Sequence, residues 1–253
     1  MSSSSPLTII TGASRGMGLA MARQLLQAGH DLVCIARHPE PSLAQQAQAL
    51  QRSCDQWADD LARPHTAASR LEGWLAQRGS MGLSSVTLIN NAGVIPRVAP
   101  LAELSGHEVS DALRVDLEAP MLLTSVFLRG TAAWKLPRKV LNISSGLGRR
   151  AMGSQAVYCA AKAGMDHFTR CLALEEERSG NGARVCSLAP GVIDTDMQVQ
   201  LRAADASSFP DRDSFVGLKR QGALSTPEEA AARVLAFLDR PDFGSQPVAD
   251  VRG

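Results

Sequence analysis

Near its start the chain reads Leu7-Thr8-Ile9-Ile10-Thr11-Gly12-Ala13-Ser14-Arg15-Gly16-Met17-Gly18, and this segment decides the fold. A short, largely apolar run suited to a buried strand leads through a glycine-rich turn into residues 17–27, which have a helical period. Strands buried on both faces and joined by helical crossovers form parallel sheets. The sequence therefore predicts a doubly wound α/β fold, a mostly parallel sheet with helices on both faces. Comparable apolar runs lie at 32–35, 86–89, 140–143 and 185–188, and further helical segments at 67–77, 111–128 and 156–177.

The glycines of the turn suit the binding of a phosphate group. Gly12 permits the tight turn, Gly16 lets the backbone approach a pyrophosphate, and Gly18 lets the helix pack against the strand. The free N–H groups at the start of the helix would hold the phosphates. A simple tight turn remains the alternative, because the spacing differs from GxGxxG, and the absence of a GK[ST] sequence excludes a P-loop.

The end of the second strand bears on the choice of dinucleotide. It reads Ile35-Ala36-Arg37, where a site specific for NAD would place an acid for the ribose 2′-hydroxyl. Ala36 cannot accept that hydrogen bond, whereas Arg37 and Arg15 can bracket a 2′-phosphate. The sequence therefore predicts NADP(H), with two solvated surface arginines as the alternative.

Composition excludes several classes of protein. The chain has 253 residues, 45% of them hydrophobic, and 26 basic against 25 acidic side chains, so one domain with a large core is expected and nucleic acid is an unsuitable partner. The first ten residues lack the features of a secretory signal and no apolar run is long enough to span a membrane, so we expect a cytoplasmic protein. Five cysteines without a CxxC pair predict neither a disulfide framework nor a metal site.

Two features of the C-terminal third stand out. Thr226, Pro227 and Glu229 form a capping box with proline at the first helical position, which predicts a helix start. Residues 203–217 are polar and weakly patterned, so we expect a mobile loop or lid, within a substrate loop at about 195–225.

Three polar residues form a candidate reacting group. Tyr158, the only tyrosine, precedes Lys162 by four residues in a helical segment, so both side chains lie on one face. An adjacent ammonium favours the phenolate, and we expect it to lower the pKa of Tyr158 into a useful range for proton transfer. Ser145 follows the predicted strand at 140–143, at the edge of the sheet where such folds bind ligands, and can donate to the same carbonyl oxygen.

These residues together resemble the short-chain dehydrogenase/reductase family. The resemblance rests on the glycine turn, Asn90-Asn91-Ala92-Gly93, Ser145 with Tyr158 and Lys162, and Pro190-Gly191 with Thr195, in that order. It implies a Rossmann-type sheet of seven strands, hydride transfer from a nicotinamide, Ser145 polarising the carbonyl and Tyr158 as the acid/base. By position it also implies the following cofactor-binding residues: Gly12, Ser14, Arg15, Gly16, Met17, Gly18, Arg37, Asp60, Leu61, Asn91, Ala92, Gly93, Tyr158, Lys162, Pro190, Gly191, Val192 and Thr195.

Asp116 is one departure from the family pattern. The family usually has asparagine at this position, where it helps to hold a water that links the lysine to solvent. A carboxylate can accept from that water or pair with Lys162, but it cannot donate as an amide does. We include Asp116 among the catalytic residues and expect slower turnover or a shifted pH optimum; an acid that points elsewhere is the alternative.

The C-terminal third is similar to the sepiapterin reductase and benzil reductase branch. Asp250 falls where a near-terminal aspartate would anchor an aminopteridine, although a diketone such as benzil needs no such anchor. The sequence predicts an NADPH-dependent carbonyl reductase for vicinal dicarbonyls, with Ser145, Tyr158 and tentatively Asp250 contacting the substrate. A pteridine side-chain ketone is the alternative substrate.

Two rival classes remain. A dinucleotide-binding regulator without turnover would be consistent with Asp116, and the intact Ser145, Tyr158 and Lys162 argue against it. An oligomeric structural subunit is the other rival. The resemblance also implies a homodimer or homotetramer through the helices at 111–128 and 156–177.

Overall fold

The computed structural model describes residues 4–252, which form one parallel sheet with helices on both faces. The seven strands are β1 (Ser5–Thr11), β2 (Asp31–Ala36), β3 (Cys54–Ala58), β4 (Leu83–Asn90), β5 (Arg138–Ile143), β6 (Arg184–Ala189) and β7 (Val248–Asp250). Their order across the sheet is β3-β2-β1-β4-β5-β6-β7, and every neighbouring pair is parallel. The predicted doubly wound, seven-stranded fold is confirmed.

The helices that connect these strands are α1 (Gly16–Gln27), α2 (Pro41–Ala49), α3 (Pro64–Arg78), α4 (Gly106–Leu113), α5 (Ala119–Thr131), α6 (Ala156–Glu177), α7 (Asp196–Arg202), α8 (Arg212–Arg220) and α9 (Pro227–Leu238). The predicted helix at 111–128 is α4 and α5 joined by one π-helical turn, Arg114–Glu118. The predicted cap of α9 is confirmed, since Thr226 Oγ1 accepts from the backbone N–H of Glu229 at 3.1 Å and the Glu229 carboxylate accepts from that of Thr226 at 3.0 Å.

Two apolar cores sandwich the sheet, as the alternation of side chains along a strand requires. Ile9 packs into the core beneath α3, α5 and α6, whereas its neighbour Ile10 packs into the core beneath α1, α2 and α9. Neither side chain is exposed to solvent. Each contributes about 1.5–3 kcal/mol by burial. The two cores hold the carboxyl ends of β1, β4, β5 and β6 side by side.

Strand order reverses between β1 and β4, because β1 pairs with β2 on one side and with β4 on the other. In open α/β sheets a crevice forms at such a reversal, beyond the carboxyl ends of the strands, and ligands bind there. A ligand site is therefore expected between the loops that follow β1 and β4.

The expectation of a mobile loop over residues 203–217 is wrong for its second half. Residues from Arg212 onward form α8, and α7 precedes them. The sequence signal was weak because no residue of α8 is buried. Instead, Phe215 stacks on the buried Phe209 with ring centroids 5.6 Å apart, and Lys219 binds Asp194 at 2.5 Å.

Candidate active site

A cavity of about 1030 Å³ lies at the carboxyl edge of the sheet. Segments that follow each strand from β1 to β6 line it, together with the start of α6 and parts of α7 and α8. All eighteen residues predicted to bind the cofactor line this cavity, and so does Ser145. Asp116 and Asp250 do not.

The turn after β1 has the geometry that its glycines predict. Gly12 and Gly16 have φ of +70° and +53°, in the left-handed region that favours glycine. A Cβ at Gly18 would lie 2.1 Å from the Gly12 carbonyl oxygen and 2.4 Å from Asn91 Nδ2, so no larger residue fits. Arg15, the N-cap of α1, forms no side-chain cap, which leaves the first N–H groups of the helix available to an anion.

Asn91 and Thr11 connect the ends of β4 and β1. Asn91 Nδ2 donates to the Thr11 carbonyl oxygen at 2.9 Å, and Thr11 Oγ1 accepts from the backbone N–H groups of Asn91 and Ala92 at 2.9 and 3.0 Å. These bonds fix the floor of the cavity at the point where the strand order reverses. The side chain of Asn91 thus connects β4 to β1, while the segment that begins at Asn91 lines the cavity.

The two arginines of the predicted phosphate site are in different situations. Arg37 is exposed and forms no ion pair with any residue in the range 4–252. Arg15 donates to Asp196 at 2.9 Å, across the cavity mouth between the glycine turn and α7. Arg37 is therefore free to bind an anionic ligand, whereas Arg15 would exchange one anionic partner for another.

Beyond β3, Asp60 and Leu61 line the predicted adenine end of the cavity. Asp60 accepts from the backbone N–H of Ala62 at 3.0 Å, which shapes the turn. Asp59 was not predicted as a site residue; it is buried, lines the cavity and pairs with Arg70 at 3.0 Å.

Ser145, Tyr158 and Lys162 line the opposite end of the cavity. The Lys162 ammonium is buried, donates to the Ile143 carbonyl oxygen at 3.1 Å and lies 5.5 Å from the centre of the Tyr158 ring. Ser145 Oγ accepts from the backbone N–H of Leu147 at 3.2 Å, which orients the hydroxyl. Two hydroxyl groups and one ammonium thus meet in a partly enclosed space.

The prediction that Lys162 lowers the pKa of Tyr158 is wrong for this structure. Burial raises the pKa of Tyr158 well above its usual value, the Asp116 carboxylate raises it further, and a hydrogen bond with Ser145 opposes both. The Lys162 ammonium lies 3.9 Å from Asp116 Oδ1. The negative charge of Asp116 therefore offsets much of the effect that the positive charge of Lys162 would have on the pKa of the phenol. Tyr158 is consequently held as the neutral phenol, the form that can donate a proton.

Asp116 lies in the π-helical turn between α4 and α5 and is not exposed. Its Oδ1 accepts from the Val94 backbone N–H at 2.9 Å, and its Oδ2 has no partner among the residues described. Burial raises the pKa of Asp116 to about 6, and the Lys162 ammonium and the Val94 hydrogen bond limit that rise. Asp116 therefore lies close to Lys162 but does not line the cavity, so it can influence Tyr158 and Lys162 through its charge and not by contact with a ligand.

The serine loop, residues 144–150 after β5, has a buried support that was not predicted from the sequence. Asp166 on α6 is buried, accepts from Ser187 Oγ at 2.7 Å and pairs with Arg149 at 3.2 Å. Arg149 also donates to the Ala249 carbonyl oxygen at 2.8 Å. These contacts join the turn after Ser145 to α6, β6 and β7. An isolated acid in a helical segment gave no signal of this role.

Comparison with known proteins identifies the family. A family model described as short chain dehydrogenase matches residues 6–206, most of the chain. The chain belongs to this family.

Its relatives include a benzil reductase ((S)-benzoin forming) from Bacillus cereus, 34% identical over 235 residues, which are 93% of this chain and 94% of that protein. A sepiapterin reductase from Bos taurus is 33% identical over 254 residues, 94% of this chain and 91% of that protein. A solved structure of a putative 2-deoxy-d-gluconate 3-dehydrogenase from Agrobacterium tumefaciens with bound NADP is 27% identical, with a TM-score of 0.78 over 97% of this chain and 94% of that chain. This short-chain dehydrogenase is thus an oxidoreductase that acts between hydroxyl and carbonyl groups with a nicotinamide cofactor.

Asp250 in this short-chain dehydrogenase is committed to a neighbour. Its carboxylate accepts from Arg252 Nε at 2.8 Å and Nη2 at 2.7 Å, and this bond lowers the pKa of Asp250. Arg252 lines the cavity, whereas Asp250 does not. The structure does not bring Asp250 together with Ser145 and Tyr158.

An apolar wall stands next to Tyr158. Tyr158 belongs to a small cluster of buried side chains that includes Ile95, Met152, Leu201 and Phe209. Partly buried residues of the serine loop, α7 and α8 pack against this cluster. The members that line the cavity are Ile95, Leu147, Tyr158, Met197, Leu201 and Phe215. The part of the cavity wall next to Tyr158 therefore contains several apolar side chains.

Between residues 4 and 252, no cluster of three or more His, Cys, Asp or Glu side chains could hold a metal ion. Within the same range no helix combines the length and apolarity needed to cross a bilayer.

Proposed function

We propose that this short-chain dehydrogenase is an NADPH-dependent reductase of vicinal dicarbonyl compounds. One observation carries the proposal: Ser145 and Tyr158 present their hydroxyls to an apolar compartment of the same cavity that the glycine turn closes at its other end. The benzil reductase relatives from two Bacillus species support the substrate class.

The residues around the glycine turn fit a dinucleotide phosphate. Uncapped N–H groups of α1 and the left-handed backbone of Gly16 form a cradle for a pyrophosphate. Arg37 would bind a 2′-phosphate with paired hydrogen bonds, joined by Arg15 on release from Asp196. Asp60 and Leu61 would hold the adenine end. The other predicted cofactor-binding residues would hold the remainder of the dinucleotide, with Pro190, Gly191, Val192 and Thr195 beside the nicotinamide.

Each reacting residue has a distinct task. When bound, the reduced nicotinamide supplies a hydride to the carbonyl carbon. Ser145 donates a hydrogen bond to the carbonyl oxygen, and the neutral phenol of Tyr158 donates its proton to the same oxygen as negative charge develops there. Lys162, anchored on Ile143, would hold the nicotinamide ribose and keep a positive charge near the phenolate that remains.

A pteridine side-chain ketone is the second candidate, supported by the sepiapterin reductase relative. The Asp250 carboxylate would have to leave Arg252 to reach such a substrate, so we rank the diketone first. An NADP-binding regulator without turnover is the remaining alternative.

A substrate screen tests the proposal. Oxidation of NADPH is followed at 340 nm with benzil, butane-2,3-dione and sepiapterin, and binding of NADPH is measured separately by fluorescence. We expect turnover of benzil. Binding without turnover of any carbonyl would favour the regulator, and a preference for sepiapterin would favour the pteridine.

The cofactor proposal has its own test. We expect kcat/KM for NADPH to exceed that for NADH and the difference to shrink in Arg37→Ala. Equal values for both cofactors in the unaltered chain, or a preference that Arg37→Ala leaves intact, would refute the role of Arg37.

We further propose a cytoplasmic homodimer or homotetramer assembled through α5 and α6. Met121 on α5 and Leu174 on α6 are large apolar residues, 42% and 60% exposed. Sedimentation velocity of the unaltered chain and of Leu174→Glu would show whether this face associates.

A further inference from the structure

Gln155 is a buried polar residue without a partner in the cavity wall. Its side chain is 1% exposed and lines the cavity. Neither Nε2 nor Oε1 forms a hydrogen bond with any residue described. Buried amide groups in folded proteins almost always have partners, so this one is suited to a ligand.

The backbone directs Gln155 toward the reacting hydroxyls. Gln155 is the N-cap of α6, three residues before Tyr158 and seven before Lys162, so all three share one side of the helix. The preceding residue, Ser154, has φ of +59°, which is unusual for a residue with a side chain. Its hydroxyl donates to the carbonyl oxygen of Ser208, which connects this turn to the segment between α7 and α8.

The chemistry of the amide suits a neutral oxygen acceptor. Gln155 offers two N–H donors without charge, in a cavity wall that also contains the apolar residues Leu147 and Ile95. Gln198 on α7 also lines the cavity and its Oε1 also lacks a partner, but it is 7% exposed and lies on a different helix from Tyr158 and Lys162. An anionic group on the substrate would instead require a cation.

We propose that Gln155 is a specificity-determining residue that donates a hydrogen bond from Nε2 to the second carbonyl oxygen of a vicinal dicarbonyl. The first oxygen then lies between Ser145 and Tyr158. A dicarbonyl presents two acceptors on adjacent carbons, which matches the placement of hydroxyl and amide donors on one wall. This inference rests on the proposed reduction of vicinal dicarbonyls.

The test compares two substrates that differ only at the second carbonyl. Benzil has two adjacent carbonyl groups, and deoxybenzoin has a methylene in place of one. For the unaltered chain and for Gln155→Met, which keeps length but not hydrogen bonding, kcat/KM is measured with NADPH for both. We expect the benzil-to-deoxybenzoin ratio to fall roughly 2- to 12-fold in Gln155→Met, the worth of one hydrogen bond between neutral groups. The value for deoxybenzoin should hold or rise, because the amide then has nothing to bind.

An unchanged ratio, or an equal loss on both substrates, would overturn the inference and leave the reductase assignment standing. Failure of the unaltered chain to reduce either compound would instead refute the proposed function. NADPH binding by fluorescence reports whether each variant is folded. If Gln155→Met does not bind NADPH, Gln155→Leu decides, because its side chain has no hydrogen-bond donor for the second oxygen: a lowered ratio supports the inference and an unchanged ratio overturns it.

Discussion

Replacement of Asp116 by asparagine should stabilise the protein, and by an amount that grows with pH. The carboxyl is fully buried and its pKa is raised from an ordinary value of 3.8 to about 6, chiefly by burial. Asparagine has the same shape and keeps the acceptor for the Val94 N–H. Oδ2 of Asp116 already lacks a hydrogen-bond partner, and Nδ2 of asparagine would lack one in the same place. The free-energy cost of one unpaired buried atom is therefore nearly the same in both proteins.

The sign and size of the effect follow from proton linkage. Because the folded-state pKa of Asp116 lies above the unfolded one, the folded state binds the extra proton between pH 4 and 6, and its stability falls as the pH rises through that window. Compared with a side chain that stays neutral, Asp116 lowers the free energy of unfolding by about 1.6 kcal/mol at pH 5 and by about 3 kcal/mol at pH 8. The conversion uses about 1.4 kcal/mol for each unit of difference between the folded and unfolded pKa values. The advantage of Asp116→Asn should therefore increase by about 1.4 kcal/mol between pH 5 and pH 8.

Urea unfolding of both proteins at pH 5, 6, 7 and 8 measures this difference. Asp213→Asn, at a side chain that is 91% exposed, controls for the exchange of carboxylate for amide. A stability difference that stays constant from pH 5 to 8 would show that Asp116 does not titrate as a buried acid. Since Asp116 also raises the pKa of Tyr158, the pH profile of alcohol oxidation should move to lower pH in the variant.

Three further variants test other parts of the structure. Gly18→Ala should lower the melting temperature and abolish NADPH binding, because its Cβ would overlap the Gly12 carbonyl oxygen, whereas Gly73→Ala, whose Cβ meets nothing within 4 Å, should do neither. Asp166→Ala should lower the free energy of unfolding by about 1–3 kcal/mol, since it leaves the buried Ser187 hydroxyl without its acceptor and Arg149 without its partner, and should lower kcat; a normal kcat would show that the serine loop does not depend on this pair. Phe215→Ala should raise KM for benzil well above its effect on butane-2,3-dione, and an equal effect on both would place the aryl groups elsewhere.

The sequence predicted most of the fold because its signals were local and redundant. A buried β-run, a glycine turn and a helical period recur along the chain, and their alternation allows few topologies. The glycine turn could be interpreted from spacing alone, since the left-handed backbone at Gly12 and Gly16 requires glycine. α8 was missed because tertiary contacts of Phe215 and Lys219 stabilise it rather than a buried face of its own.

The residues of the candidate site that belong to a sequence motif could be predicted. Properties that depend on burial in the folded structure could not. Tyr158 and Lys162 could be paired from helical spacing, but the direction of the Tyr158 pKa depends on burial and on Asp116, which packs against Lys162 from another helix. Gln155 resembles any polar residue at a helix start, and only its enclosure without a partner makes it notable. Such facts belong to the packed state and leave no local pattern in the sequence.

The central claim is that the Tyr158 phenol supplies the proton to the carbonyl oxygen. The most direct test measures kcat for benzil with saturating NADPH in Tyr158→Phe, together with NADPH affinity. Phenylalanine keeps the ring and removes only the hydroxyl, so kcat should fall by roughly 10²–10⁴ while NADPH still binds. Turnover at the rate of the unaltered chain would contradict the account, because a group other than the Tyr158 phenol would then have to donate the proton.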